Sequence, residues 1–358
     1  MTTRSILEID LNIIRQNYLE IKKLTKSEVA ASVKADAYGL GATHIVKLLQ
    51  KENCKKYFVA NIKEALHLRK KFPNIDIFIL DGFFKQHIQT IIEYRITPVI
   101  SNLYQIEILN DYCAGRDIHW QVALHIETGM NRLALIYDDV EKIITNKVKT
   151  SHIEIKYVIS HLASSDIPES QLNITQLKEF IRITKYFPGT ELSLANTSGL
   201  FLGEKYHFDF IRPGAGIYGI NPVSKMRFCN PVRLFCPLLQ VKLLAKGSSL
   251  GYNQTYVANQ ETWVGTIGFG YADGMLRSLG NKGSCYINGH KAPIIGAVSM
   301  DLTNIDLTLV PEKDRSIGQD VDIICLDQSA DDVARDANTI GYEILSRLGN
   351  RNERIYKK

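Results

Sequence analysis

The stretch SVKADAYGLG, Ser32 to Gly41, decides how the chain is read. An apolar, β-prone approach from Val29 to Val33 ends in Lys34, a glycine-rich turn follows, and ATHIVKLLQK (42–51) then takes helical spacing. A lysine at that handover has two readings. One is a surface side chain lying along a strand end with its ammonium in water. The other is a Schiff-base lysine at the open end of a parallel strand, where α/β enzymes gather their chemistry. The stretch alone leaves both open.

Working outward, short β-like runs alternate with helical patterns through the first two thirds of the chain. The runs are EVAASVK (28–34), YFVA (57–60), IDIFIL (75–80), ITPVI (96–100), DIHWQVALHI (117–126), IEIKYVIS (153–160), ELSLAN (191–196) and FDFIRPG (208–214). Segments between them, such as IKEALHLRKKF (62–72) and DDVEKIITNKV (138–148), repeat apolar residues at one-turn spacing. Eight strands in βα alternation predict an α/β fold, a TIM-like parallel barrel. An open doubly wound sheet is the alternative, but no GxGxxG follows the first strand. After about residue 228, runs of Val, Ile, Thr and Tyr broken by GNKG and INGH predict a mainly antiparallel β domain. A helical stretch, 331–348, comes near the end. The expected domains are 8–227 and 228–358, with the boundary in NPVSKMRFCNP (221–231), where two prolines bracket a turn-rich segment.

Composition narrows the class. The 358 residues are 45% hydrophobic and 23% charged, enough for a sizeable core without staples. A formal charge of +5, spread without a dominant block, argues against nucleic acid as partner and suits an anionic small molecule. The six cysteines form no CxxC pair, so neither a metal site nor a disulfide framework is expected. MTTRSILEIDLNIIRQNY lacks the uninterrupted apolar run of a signal peptide, and no stretch reaches the ~18 apolar residues that span a bilayer. A cytoplasmic protein without a membrane partner is expected.

Chemistry in such a barrel collects at the carboxyl ends of the strands. Those ends present Lys34 and Tyr38, then His125 with Arg132 in the loop ETGMNRL, then His161, ANTSG and IRPGAGIYG. Phosphate sites on these barrels use the loops after strands seven and eight, where small residues let backbone N–H groups approach an anion. Asn196, Thr197, Ser198, Gly214, Ala215 and Gly216 supply that chemistry, although each taken singly is also an ordinary turn or capping residue. Joined to Lys34, they point to a phosphorylated aldehyde. Pyridoxal phosphate has a phosphate for the loops, an aldehyde for the lysine and a ring nitrogen for which Arg212 is the candidate partner.

The order of SVKADAYGLG, ETGMNRL, ANTSG, IRPGAGIYG, GYNQTY, GYADG and VSMD resembles that of the alanine racemases, over nearly the whole chain. The resemblance implies an eight-stranded barrel, a C-terminal β domain and a head-to-tail homodimer in which each site is completed by the partner's second domain. It implies racemisation of alanine, supplying D-alanine for peptidoglycan. Lys34 then resembles the lysine that holds pyridoxal phosphate, and Arg212 the arginine facing the ring nitrogen. Tyr38, Thr197, Gly214 and Ala215 match phosphate-binding positions, with Asn196 beside them, and His161 aligns with a histidine near the ring. Arg132 aligns with an arginine near the substrate carboxylate. Tyr252 matches the second catalytic base and Met300 a substrate contact, both delivered to the other subunit. Tyr271, Asp301 and Asn350 fall at lining positions of the access channel.

Two departures stand out. The family often has a lysine where this chain has His125, and its loop usually reads GMGR rather than GMNR. Asn131 is among the few non-glycine residues that tolerate a left-handed backbone. Rivals follow from the same residues. A non-catalytic pyridoxal phosphate carrier on the same barrel would lack the long β domain. A related decarboxylase would place an acidic residue where Arg212 stands. A broad-specificity racemase is a further alternative, and a metal-dependent hydrolase built on His125 and His161 lacks an acidic residue at strand one.

Overall fold

The computed structural model describes residues 5–223, 225 and 227–358. Met1–Arg4, part of the stretch read for a signal peptide, lie outside the described residues, as do Ser224 and Met226 within the expected boundary segment. The strands in chain order are β1 (Ile6–Asp10), β2 (Glu28–Val29), β3 (Ala31–Ser32), β4 (Lys56–Val59), β5 (Asp76–Ile79), β6 (Thr97–Ile100), β7 (Trp120–His125), β8 (Ile153–Ile159), β9 (Glu191–Ser193), β10 (Phe210–Ile211) and β11 (Val232–Leu244). A seven-stranded parallel sheet runs from β3 to β9 in sequence order, with helices in the connections.

Eight strands in one sheet were expected, and the eighth run behaves differently. β10 is only two residues long and pairs in parallel with β2 in a ladder of its own. It is short because Pro213 has no N–H to continue a ladder and Gly214 turns away, with φ −134° and ψ −69°. Hydrogen bonds still flank it on both sides. Ala30 N–H donates to Ile211 O at 3.0 Å and Ser32 N–H to Pro213 O at 2.9 Å, while Arg212 N–H donates to Ala195 O at 2.9 Å.

Strand side chains alternate between two cores, as a pleat of period two requires. Tyr57, Val59, Ile77, Ile79, Val122, Leu124 and Val158 join the large cluster shared with the helices. The intervening positions form a separate inner cluster of Ala30, Phe58, Phe78, Val99, Ala123, Tyr157, Ile159 and Phe210. In it Phe58 stacks on Phe78 at 4.5 Å and Tyr157 meets Phe78 edge-on at 4.9 Å, both favoured ring arrangements. At the amino end, Lys56 is buried against this cluster and bonded to Glu28 and Glu191.

The second domain is mainly antiparallel, as expected. Its central strand, β11, carries one neighbour on each side and a further antiparallel partner, Thr262–Ile267, along its second half. At the start of the expected first domain, β1 lies in the second sheet, antiparallel to β11 and parallel to Glu353–Lys357. The helical stretch 331–348 is two helices, Ala330–Ala337 and Gly341–Ser346, parted at Asn338, whose φ is 58°. The four cysteines Cys54, Cys113, Cys236 and Cys285 are buried and unbridged, whereas Cys229 is exposed. No described helix is long and apolar enough to cross a membrane.

Candidate active site

The same two-residue step that builds the inner core delivers the polar residues above it. Ala30 leads to Ser32 and Lys34, Phe58 to Ala60, Phe78 to Leu80, Ile159 to His161, and Phe210 to Arg212 and Gly214. The first member of each series lies in the inner cluster or against it, and the later ones line a cavity of about 590 Å³ at the carboxyl ends of the strands. Nine residues expected at the site line this cavity: Lys34, Tyr38, Arg132, His161, Asn196, Thr197, Arg212, Gly214 and Ala215.

Lys34 opens a single turn, Lys34–Tyr38, of unusual hand. Ala35, Asp36, Ala37 and Tyr38 have φ values of 52°, 53°, 55° and 58° in succession. A left-handed turn of non-glycine residues costs roughly 1–2 kcal/mol per residue, so surrounding contacts must hold it. Tyr38 is clasped by Tyr218, ring centroids 4.7 Å apart, and by Tyr342 at 5.8 Å. Arg354 Nε donates to Gly39 O at 2.9 Å, and the Tyr356 ring stacks on His44 at 3.6 Å, so the end of the chain grips the turn. Burial lowers the pKa of the Lys34 ammonium, and the positive charge of Arg132 lowers it further. Both effects favour the free amine, the nucleophilic form.

Arg212 is buried at the floor, its guanidinium 5.8 Å from the Phe58 ring. Nη1 donates to Ser193 Oγ at 2.6 Å and Nη2 to Ser160 O. Burial pulls its pKa down to about 10, which leaves it charged at neutral pH. Along the neighbouring wall, Thr197 Oγ1 accepts from the N–H groups of Gly214 (3.1 Å) and Gly216 (3.3 Å). Gly214 is required there, because a Cβ would stand 2.3 Å from Tyr38 Oη. Asn196 Oδ1 accepts from Gly199 N–H at 2.8 Å and Ser165 Oγ at 3.0 Å, which braces the preceding loop.

The Arg132 loop is organised by Glu127. Its carboxylate accepts from the N–H groups of Gly129 (2.5 Å), Met130 (2.6 Å) and Asn131 (2.8 Å). Two backbone bonds close the loop base, Glu127 N–H to Leu135 O at 2.8 Å and Leu135 N–H to His125 O at 2.7 Å. Asn131 takes φ 54°, the left-handed conformation expected where a glycine is usual. His125 also lines the cavity. Burial, helped by Arg212 and Arg132, pulls its pKa down to about 4, so the imidazole is neutral and supplies no negative charge to Arg132. His161 is lowered as well, by burial first and then by Arg212.

Tyr252, Met300, Tyr271, Asp301 and Asn350 do not line this cavity. They stand on the second domain, exposed, with Tyr252 at 69% and Met300 at 54%. Tyr271 and Met300 share one ledge, in which Tyr271 N–H donates to Ser299 O and Ala272 N–H to Met300 O, each at 3.0 Å. Arg351 clamps the ledge by bridging Asp273 (3.1 Å) and Asp301 (2.9 Å). The sequence reading missed Asp81, Tyr342 and Ser346, which line the cavity. Asp81 directly follows the IDIFIL run, at the carboxyl end of β5. Tyr342 and Ser346 reach the cavity from the second domain and carry no local signal.

Two family profiles match the chain, the alanine racemase N-terminal domain over residues 9–222 and the alanine racemase C-terminal domain over 232–356. An alanine racemase of Rickettsia akari is 43% identical over 352 residues, 98% of each chain, and one of Rickettsia canadensis is 41% identical over 98% of this chain and 99% of the relative. Among solved structures, a Bartonella henselae alanine racemase with covalently bound pyridoxal phosphate superposes with a TM-score of 0.95 at 35% identity, over 99% of this chain and 100% of the other. The biosynthetic alanine racemase of Pseudomonas aeruginosa gives 0.92 at 29% identity, over 100% of both chains.

The depressed His125 pKa sets a pH dependence of stability. The unfolded chain takes up this proton near pH ~6.5, whereas the folded chain resists until about 4. The contribution is complete above the unfolded value and is lost as pH falls through that window. His125→Asn should therefore flatten the decline in urea midpoint between pH ~6.5 and ~4.5, with His161 supplying the part that remains. An unaltered decline would show that His125 is free to protonate in the folded protein.

Proposed function

Since the chain belongs to the alanine racemase family, we propose that it interconverts L- and D-alanine, with pyridoxal phosphate held in the Lys34 cavity and one base for each face of the α-carbon. The observation that carries this reading is the cavity itself: a half-buried lysine held toward its free amine, a buried guanidinium at the floor, and a glycine-walled recess beside Thr197. That donor set fits the cofactor. Lys34 suits its aldehyde, Arg212 its ring nitrogen, and Tyr38, Asn196, Thr197, Gly214 and Ala215 its phosphate, where a Cβ on Gly214 would fill the space up to the Tyr38 hydroxyl. His161, which lines the same cavity, would stand beside the ring. Pyridoxal phosphate supplies an aldehyde that captures amines and a conjugated ring that delocalises negative charge from an amino acid α-carbon.

The protein supplies the proton transfers. Lys34 takes or returns the α-proton on the face used by D-alanine, and burial, which lowers its pKa, favours the free amine that this role needs. Tyr252 serves the face used by L-alanine. Arg132 is the cation of this cavity suited to stand beside that phenol. Arg132 also receives the substrate carboxylate, with Met300 beside it. With pyridoxal phosphate bound, Arg212 would keep its own proton and offer the ring nitrogen a hydrogen bond without protonating it, and so would moderate electron withdrawal by the ring.

Tyr252 and Met300 are exposed on their own chain, and this supports a homodimer in which each second domain completes the other subunit's cavity. Tyr271, Asp301 and Asn350 then line the access channel. Hydrogen bonds on both sides of β10 support its reading as the eighth strand of a closed barrel. The product serves peptidoglycan synthesis, and the enzyme works in the cytoplasm.

Three measurements test the proposal. Borohydride reduction followed by peptide mapping should find the cofactor on the peptide containing Lys34, and its recovery on another lysine would overturn the site. Mixing inactive Lys34→Ala and Tyr252→Phe chains under conditions of subunit exchange should restore one intact site per heterodimer. No recovery despite proven exchange would mean each site is built from one chain. In deuterated water, Tyr252→Phe should lose ~10²- to 10⁴-fold in α-hydrogen exchange from L-alanine while largely keeping exchange from D-alanine. An equal fall from both enantiomers would remove Tyr252 as a base.

A further inference from the structure

The left-handed turn after Lys34 leaves one backbone donor pointing away from its own segment. Within the turn, Ala37 N–H donates to Val33 O, Gly39 N–H to Ala35 O and Gly41 N–H to Asp36 O. Ala42 N–H donates to Asp36 Oδ1 at 2.7 Å. Ala35 N–H, the peptide immediately after the lysine, donates instead to Glu64 Oε1 at 2.9 Å, a residue on the next βα unit. The second oxygen of that carboxylate, Oε2, accepts from Ala60 N–H at 2.8 Å, just beyond the end of β4.

Glu64 is itself held. It is the third residue of the helix Ile62–Arg69, and its N–H donates to the capping side chain of Asn61 at 3.1 Å. NIKE (61–64) thus places an acceptor at the third helical position, which ordinarily turns back to a donor at the helix start. Here one oxygen bonds the N–H of Ala60, one residue before the cap, and the other reaches across to the lysine turn. Both bonds are charge-assisted, the stronger class.

We infer that Glu64 is a positioning residue for the reaction: its carboxylate fixes the peptide between Lys34 and Ala35 to the end of β4, and so holds the lysine at the cavity in a turn its residues do not favour. The constraint falls on the backbone at the point where the lysine side chain departs. Loosening it widens the range of amine positions while leaving Arg132 and the substrate-binding loop in place. The loss therefore falls on turnover rather than on substrate affinity.

The inference rests on Lys34 being the reacting amine, and the test separates the two. In Glu64→Gln, the remaining oxygen still accepts from one of the two N–H groups, and an amide N–H₂ faces the other. Loss of one charge-assisted bond predicts about tenfold lower kcat with KM for alanine changed less than about twofold. Hydrogen exchange of the Ala35 and Ala60 amides in the same protein should quicken about tenfold, with the amides of β6 and β7 unaffected. Glu64→Asp, which keeps the charge but withdraws it by one methylene, should move both readouts the same way, and it decides the matter if the Gln variant exchanges throughout. Unchanged exchange at Ala35, or faster exchange there with kcat unaltered, would overturn the role of Glu64. Borohydride labelling at a different lysine would overturn the role of Lys34 while leaving the exchange result standing.

Discussion

Everything at the site depends on the alternation of side chains along strands that are buried on both faces. A parallel sheet wrapped by helices must be apolar outward and must also fill its own interior, so each strand spends alternate residues on two different cores. The inner set here is graded along the strand direction. Lys56 and its two glutamates occupy the amino end, a layer of aromatic rings the middle, and Lys34, His161 and Arg212 the carboxyl end. A slip of one residue in any strand would exchange these for the outward set. The aromatic layer is therefore the floor of the cavity as well as a core, with Arg212 seated over Phe58.

The electrostatics of the cavity follow from that depth. Three basic side chains, Lys34, Arg132 and Arg212, converge with two histidines, and burial decides which carry charge. Both imidazoles are driven neutral, and the lysine is driven toward its free form. Charge is left mainly on the guanidiniums, which hold their protons best. The result is a recess suited to phosphate and carboxylate groups in which amine nucleophilicity survives. Glu127 contributes without entering the cavity, since its carboxylate is spent on three N–H groups of the Arg132 loop.

Strand ends carried most of what was legible in the sequence. Lys34, His161, Arg212 and Gly214 follow inner-face residues at even spacing, so reading the strands was enough to find them. Asn131 was readable from its residue type alone and takes the expected left-handed φ. Other features were hidden for definite reasons. DAYG reads as an ordinary mobile turn, because the left-handed run Ala35–Tyr38 depends on distant partners such as Tyr342 and Arg354 as well as on its own local bonds. Residues 6–10 look like any amphipathic strand, and nothing local says which of two sheets they join. Tyr342 and Ser346 enter the cavity only because the second domain folds back over the lysine turn.

The placement of β1 has a consequence for how the chain is made. Its two neighbours are residues 232–235 and 353–357, and Ser5 bonds to Asn352, 347 positions away. During synthesis β1 thus leaves the ribosome well before its partner strand at 353–357. The barrel segments between them can assemble in order of appearance, each strand beside its predecessor, while this edge stays unpaired. Contacts of such long separation are slow to form and leave strand edges exposed meanwhile. Closure of the second sheet around β1 is then the step that joins the two ends of the chain, and with them the lysine turn and the C-terminal residues that grip it.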